Sequence, residues 1–98
     1  MASPIAPTPE MLTLAQRCVW FRAPQDALAN PTDFLAHVMT YGTYDDLRIL
    51  RGQVSDADLR EALDNAPPGV FDGRSWAYWN LILFGRREPP PLPVRKLS

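Results

Sequence analysis

The 98-residue sequence predicts an all-α protein: a compact bundle of about five short helices followed by an extended, proline-rich C-terminal tail. Apolar residues recur at spacings of three and four, capping residues precede these stretches, and prolines or glycines separate them. No segment shows the strong alternation of apolar and polar residues that is typical of a half-buried strand. We therefore divide the chain into a flexible N-terminal segment (1–8), a helical domain (9–85) and a basic tail (86–98).

The first two helices are predicted from proline-containing start signals. Thr8-Pro9-Glu10 combines a capping hydroxyl, a proline at the first helical position and an acid in the first turn. This helix should run over about residues 9–20 and end before Pro24, and a short strand through 18–21 is a local alternative. Asn30-Pro31-Thr32-Asp33 repeats this start signal, with Asn30 in the capping position, and begins the second helix, which ends at Gly42, interpreted as a left-handed C-cap.

Two further helices are predicted within residues 43–66. Thr43 caps the first, which has Asp45 and Asp46 in its first turn, turns Leu47, Leu50 and Tyr44 inward, and ends at Gly52. Ser55 caps the second, and Pro67-Pro68 ends it.

The last predicted helix, over residues 74–84, is apolar nearly all the way around. Asp72 caps it and Gly85 stops it. Such a helix is expected at the centre of its fold, here with one edge left for a protein partner or a second copy in a homodimer. The residues predicted to bind the partner are Trp76, Tyr78, Trp79, Arg86, Arg87, Leu92, Val94 and Arg95.

The tail supports the prediction of a protein partner. Its four prolines favour an extended polyproline II conformation. It contains P-x-x-P, the outline of a ligand for aromatic-lined grooves. A stiff arm of this kind loses little entropy when it lies across its own domain or across a partner.

Composition excludes several classes of function. The net charge of −1 disfavours nucleic acid as a general partner, and no apolar run is long enough for a membrane span. The single cysteine excludes an internal disulfide and is typical of a reducing compartment, so we expect a cytoplasmic protein.

No residue pattern indicates catalysis. His37 is expected to be a partly exposed helical histidine, and Cys18, on an apolar stripe, a buried structural thiol. Asp45 and Asp46 are adjacent, so they point in different directions on a helix and are best explained by its dipole. There is no His/Cys cluster for a metal and no glycine-rich phosphate loop. We expect a non-enzymatic protein without cofactors.

A DNA-binding regulator is the alternative function, because residues 43–66 have a helix–turn–helix outline. Arg48, Arg51 and Arg60 would then contact DNA. The acidic start of the second helix, with Asp56 and Asp58, argues against this role, because phosphates would repel it.

The layout of four sequence motifs indicates which class of protein the partner belongs to. The chain has an early Trp20-Phe21, the block "FLAHVMTYGTYDDLRIL", the segment "LREAL" and the helix start "DGRSWAYW". This layout resembles that of small uncharacterised bacterial proteins encoded beside nucleotidyltransferase-type toxins of abortive infection. The resemblance implies an antitoxin-like protein that binds its cognate toxin.

Overall fold

Six helices make up the regular secondary structure of residues 5–93, the part of the chain that the computed structural model describes. They are α1 (Pro9–Cys18), α2 (Pro24–Leu28), α3 (Pro31–Tyr41), α4 (Tyr44–Gln53), α5 (Asp56–Asp64) and α6 (Gly73–Phe84). The predicted all-α class is confirmed. Over these residues no strand forms, and this includes the alternative strand through 18–21.

Side-chain caps begin four of the helices, as predicted, but Asn30 at the start of α3 makes no capping bond, because its side chain donates to the carbonyl oxygen of Asp26. The side-chain oxygens of Thr8, Thr43, Ser55 and Asp72 each accept a hydrogen bond from the backbone N–H three residues later. At α4 the capping is reciprocal, because the Asp46 carboxylate accepts the backbone N–H of Thr43 at 3.0 Å. Gly85, with φ 68°, ends α6 in the predicted left-handed conformation.

The first helix and the segment after it differ from the prediction. The helix α1 ends at Cys18 instead of residue 20, which places Trp20 and Phe21 in the turn that follows. Pro24 then begins a helix that the sequence did not predict, α2, whose Ala27 and Leu28 are buried. Five residues are too few to show a helical apolar period, so α2 gave no periodic signal.

The two glycines of the middle region also differ from the prediction. Gly42 is extended, with φ −67° and ψ 147°, so it is not a left-handed cap. Its position requires glycine for space, because a Cβ would lie 2.6 Å from the carbonyl oxygen of Val38. Gly52 lies inside α4, which continues to Gln53.

The central helix of the fold is α3, and not the aromatic helix α6. The helix α3 contacts all five others, and six consecutive residues from Phe34 to Met39 are buried on it. The helix α6 packs against α3 and α5 through Trp76, Trp79 and Leu83, while Tyr78, Leu81 and Ile82 on its other side are exposed. The apolar character all round α6 therefore reflects one core face and one surface face.

Long-range hydrogen bonds join the ends of helices to the core. The indole N–H of Trp79 donates to the carbonyl oxygen of Met39 at 2.9 Å, in the last turn of α3. The Nε–H of Arg60 donates to the carbonyl oxygen of Leu83 at 2.8 Å, in the last turn of α6. Both acceptors are carbonyl groups that a helix end leaves without a partner inside the helix.

The described part of the tail lies against the chain's own body. Arg86 donates to the buried side chain of Asn80 at 3.0 Å, and its guanidinium lies 3.9 Å from the centre of the Phe84 ring. Leu92 packs against the core, as does Ile5 in the N-terminal segment. Val94 and Arg95 lie outside the described residues.

Candidate protein-binding site

One face of α4 carries large side chains that are exposed or only partly covered by the rest of the fold. Leu47 and Arg48 lie three and four residues after Tyr44, and Arg51 lies four and three residues after them, so all four lie on one side of α4. Tyr44 was expected to face inward but is 81% exposed. Leu50 is buried on the inward side of α4, as predicted, together with the ion-paired Asp46, and Leu47 is partly buried against the core while it also lines the cleft.

This face of α4 lies opposite α6 across a cleft of about 400 Å³. Tyr78 and Trp79 line the cleft from α6, and Tyr78 packs edge-on against Trp79, with ring centroids 5.2 Å apart. The cleft therefore combines two exposed tyrosines, the edge of a buried tryptophan and two arginines. It brings together residues that the sequence had assigned to two different hypotheses, Tyr78 and Trp79 to protein binding and Arg48 and Arg51 to DNA binding.

The charges of the cleft are positive. Among its lining residues only Arg48 and Arg51 are charged. Each pairs with an exposed aspartate beside the cleft: Arg48 with Asp45 at 3.8 Å and Arg51 with Asp56 at 3.2 Å. Exposed ion pairs of this kind contribute at most about 1 kcal/mol each. A carboxylate of a bound partner can therefore replace either aspartate as the partner of its arginine.

Arg60 does not join the other two predicted DNA contacts. Its side chain is held by the carbonyl oxygen of Leu83, where it supports the end of α6. The first turn of α5 also carries Asp56 and Asp58, as the sequence indicated. The three arginines of the helix–turn–helix hypothesis thus do not form one basic surface.

The predicted partner-binding residues separate into several groups. Trp76 and Trp79 are core residues, with 6% and 2% of their surface exposed, because they occupy the side of α6 that packs on the rest of the fold. Tyr78 and Arg87 are exposed. Arg86 and Leu92 are used by the chain itself, in contacts with Asn80 and with the core.

A second exposed surface, which we call the aromatic patch, lies at the end of α1 and α3. It consists of Trp20, Phe21 and Tyr41, which are 70%, 53% and 56% exposed. Trp20 contacts both other rings edge-on, with centroids 5.4 and 6.5 Å away. The sequence carried a signal for this patch, since Trp20 and Phe21 are adjacent and continue past the buried stripe that ends with Cys18 and Val19.

His37 lies beneath the aromatic patch and is buried, which corrects the expectation of partial exposure. The rings of Phe21 and Tyr41 cover it, at centroid distances of 5.4 and 6.1 Å. Its Nδ1–H donates to the backbone carbonyl of Asp33 at 2.7 Å. His37 is thus packed as part of the support for the patch.

The residues described give no arrangement for metal binding, and their one cysteine is a buried thiol. Across residues 5–93 no group of three His, Cys, Asp or Glu side chains is placed to hold a metal ion. Cys18 is buried, as predicted, and burial raises the pKa of its thiol to about 11, so it stays protonated at neutral pH. None of the helices in this part of the chain has the length and apolar character of a membrane span.

The fold and the cleft define a small all-α protein with an exposed aromatic and basic groove. Comparisons with models of protein families, with curated proteins and with solved structures find no match to this chain.

Proposed function

We propose that this protein is a non-enzymatic protein-binding module whose cleft between α4 and α6 holds an acidic segment of a partner protein. The observation that carries the proposal is the lining of the cleft, in which Tyr44 and Tyr78 stand beside Arg48 and Arg51. Tyrosine, tryptophan and arginine are the residues that most often dominate the binding energy of protein interfaces.

The chemistry of the cleft defines the ligand. Two arginines without a charged competitor among the lining residues favour carboxylates, which accept charge-assisted hydrogen bonds from guanidinium groups. The tyrosine rings and Leu47 provide apolar surface for one large side chain of the partner. The expected ligand is therefore a segment with two or more acidic residues around a leucine or an aromatic residue.

The resemblance to proteins encoded beside nucleotidyltransferase-type toxins supports one candidate for the partner, the cognate toxin. On this proposal the protein is antitoxin-like and cytoplasmic, and an acidic surface segment of the toxin occupies the cleft. The direct test is co-expression with the toxin encoded beside it, followed by measurement of the complex for the wild type and for variants of the cleft.

The general proposal is tested without knowledge of the partner by selecting peptides from a random library on the full chain. We expect enrichment of acidic peptides with one large apolar residue. The double variant Arg48→Ala/Arg51→Ala should weaken their binding at least tenfold, since a single charge-assisted hydrogen bond contributes about 1.5–3 kcal/mol. Arg74→Ala removes an exposed arginine of α6 outside the cleft and serves as the control.

Three results would contradict the proposal. Selected peptides without acidic residues, or peptides whose binding is unchanged in the double variant, would exclude the cleft as an acidic-segment site. Salt-dependent binding of duplex DNA that the same double variant abolishes would favour the DNA-binding alternative. Sedimentation of the wild type and of the double variant shows whether the protein forms a homodimer and whether the cleft arginines contribute to it.

A further inference from the structure

The C-terminal tail lies in a groove whose donors match its acceptors. The indole N–H of Trp76 donates to the carbonyl oxygen of Pro90 at 2.7 Å, and the backbone N–H of Gly69 donates to that of Pro93 at 3.2 Å. The ring of Phe71 packs against Trp76, with centroids 5.5 Å apart. Phe71 and Trp76 are 4% and 6% exposed in this arrangement.

The tail has the chemistry of a polyproline II ligand. Prolines at 89, 90, 91 and 93 fix φ near −65° and restrict the residue before each of them to extended conformations. A polyproline II helix has three residues per turn and no internal hydrogen bonds, so its carbonyl groups remain free to accept. Pro89, Leu92 and Pro93 are half-buried while Pro90 and Pro91 are exposed, so the tail contacts the rest of the chain at both ends of this stretch.

Recognition of proline-rich peptides by other domains uses the same physical elements, an aromatic-lined groove and donors directed at the ligand's carbonyl groups. The P-x-x-P motif predicted a ligand for an aromatic-lined groove. The groove that this motif occupies belongs to the same chain. The residues that follow α6 bring the tail back over it, since Gly85 turns in the left-handed conformation and Arg86 is held by Asn80.

We propose that the groove formed by Gly69, Phe71 and Trp76 is a binding site for polyproline II segments, and that a proline-rich segment of another protein can replace the chain's own tail there. This site is separate from the cleft between α4 and α6, and the inference does not depend on the proposed function. Because the tail is covalently attached, its effective concentration at the groove is about millimolar, so it competes strongly with any second segment.

The experiment inserts a protease recognition sequence between Arg87 and Glu88, both exposed, into the full chain. The protein is folded, cleaved and separated from the released tail, and its helicity is checked by circular dichroism. A fluorescein-labelled peptide of residues 88–98 is then titrated and followed by anisotropy. We expect saturable binding to the cleaved protein, at least tenfold weaker binding to the uncleaved protein, and none of a scrambled peptide.

Matched variants locate the site. Trp76→Phe keeps an aromatic side chain, although a smaller one, but removes the indole N–H donor, and should weaken peptide binding by roughly fivefold. Trp20→Phe makes the same chemical change at an exposed tryptophan outside the groove and should leave the binding unchanged. In the uncleaved chain, Leu92→Asp should loosen the attached tail and strengthen binding of the added peptide.

Three results would overturn the proposal. A cleaved protein that stays folded but does not bind the peptide has no such site. If the cleaved protein unfolds once the tail is removed, the tail is a necessary part of the hydrophobic core. Equal binding to the cleaved and uncleaved proteins, unaffected by Trp76→Phe, places the peptide elsewhere.

Discussion

The guanidinium of Arg17 in α1 donates a hydrogen bond to the buried carboxylate of Asp46 in α4, with 2.8 Å between nitrogen and oxygen. The other oxygen of Asp46 accepts the backbone N–H of Thr43, so one side chain both caps α4 and ties it to α1. Adjacent Asp45, in contrast, is exposed. Two neighbouring acids that look equivalent in the sequence therefore have different structural roles.

Replacement of Asp46 by alanine should lower the free energy of unfolding by about 1–3 kcal/mol, because both the cap and the charge-assisted hydrogen bond are lost. Asp45→Ala is the matched control and should change it by less than about 0.5 kcal/mol. Urea denaturation followed by circular dichroism measures both values. Equal effects of the two substitutions would show that the Arg17–Asp46 contact does not stabilise the fold.

Two glycines should respond in opposite directions to alanine. Gly42→Ala places a Cβ against Val38 and Asp46 at the tight junction of α3 and α4, so we expect a loss of about 1–3 kcal/mol. Gly52→Ala meets open space within α4 and should stabilise the protein by about 0.5–1 kcal/mol through its higher helix propensity. Thermal denaturation of the two variants distinguishes them. A stabilising Gly42→Ala would contradict the close approach of the two helices.

Trp79 should behave as a core residue and its neighbour Tyr78 as a surface residue. Trp79→Phe removes the donor to the carbonyl oxygen of Met39 and should cost about 1–3 kcal/mol of stability. Tyr78→Phe, at a half-exposed position, should cost less than about 0.5 kcal/mol. If chemical denaturation shows the reverse order, the two faces of α6 have been assigned incorrectly.

The thiol of Cys18 should make the protein less stable at alkaline pH. Burial, reinforced by the negative charge of Asp46, raises the pKa of Cys18 from 9.0 to about 11. Between these values the thiol ionises in the unfolded chain but not in the folded one. Its stabilising contribution is complete below pH 9 and is lost as pH rises toward about 11, at up to about 1.4 kcal/mol per pH unit.

Cys18→Ala isolates this effect from the titration of other groups. The stability of the wild type relative to this variant should fall as pH rises from 9 to about 11, measured by urea denaturation at each pH. At pH 8 the folded wild type should also react with a thiol reagent only as fast as it unfolds. A difference in stability that stays constant with pH would show that Cys18 ionises equally in both states.

Local signals in the sequence were sufficient for most helix boundaries. Thr8, Thr43, Ser55 and Asp72 cap their helices through hydrogen bonds that span only three residues, so no knowledge of the rest of the fold was needed to predict them. The short helix α2 lacked such a signal. Its N-cap is Ala23, which makes no side-chain capping bond, and its five residues hold no full apolar period.

The sequence by itself determined the all-α class and the side-chain caps of four helices, because these depend on residues at most a few positions apart. Only the tertiary structure decided that α3 is central, that Trp79 is core while Tyr78 faces a cleft, and that the tail returns to Trp76. Each of these depends on how the chain folds back on itself. The hydrogen bond from Trp76 to Pro90 joins residues 14 positions apart in the sequence, and the one from Trp79 to Met39 joins residues 40 positions apart. Periodicity shows which side of a helix is apolar, but the packing of the helices decides which apolar side is covered.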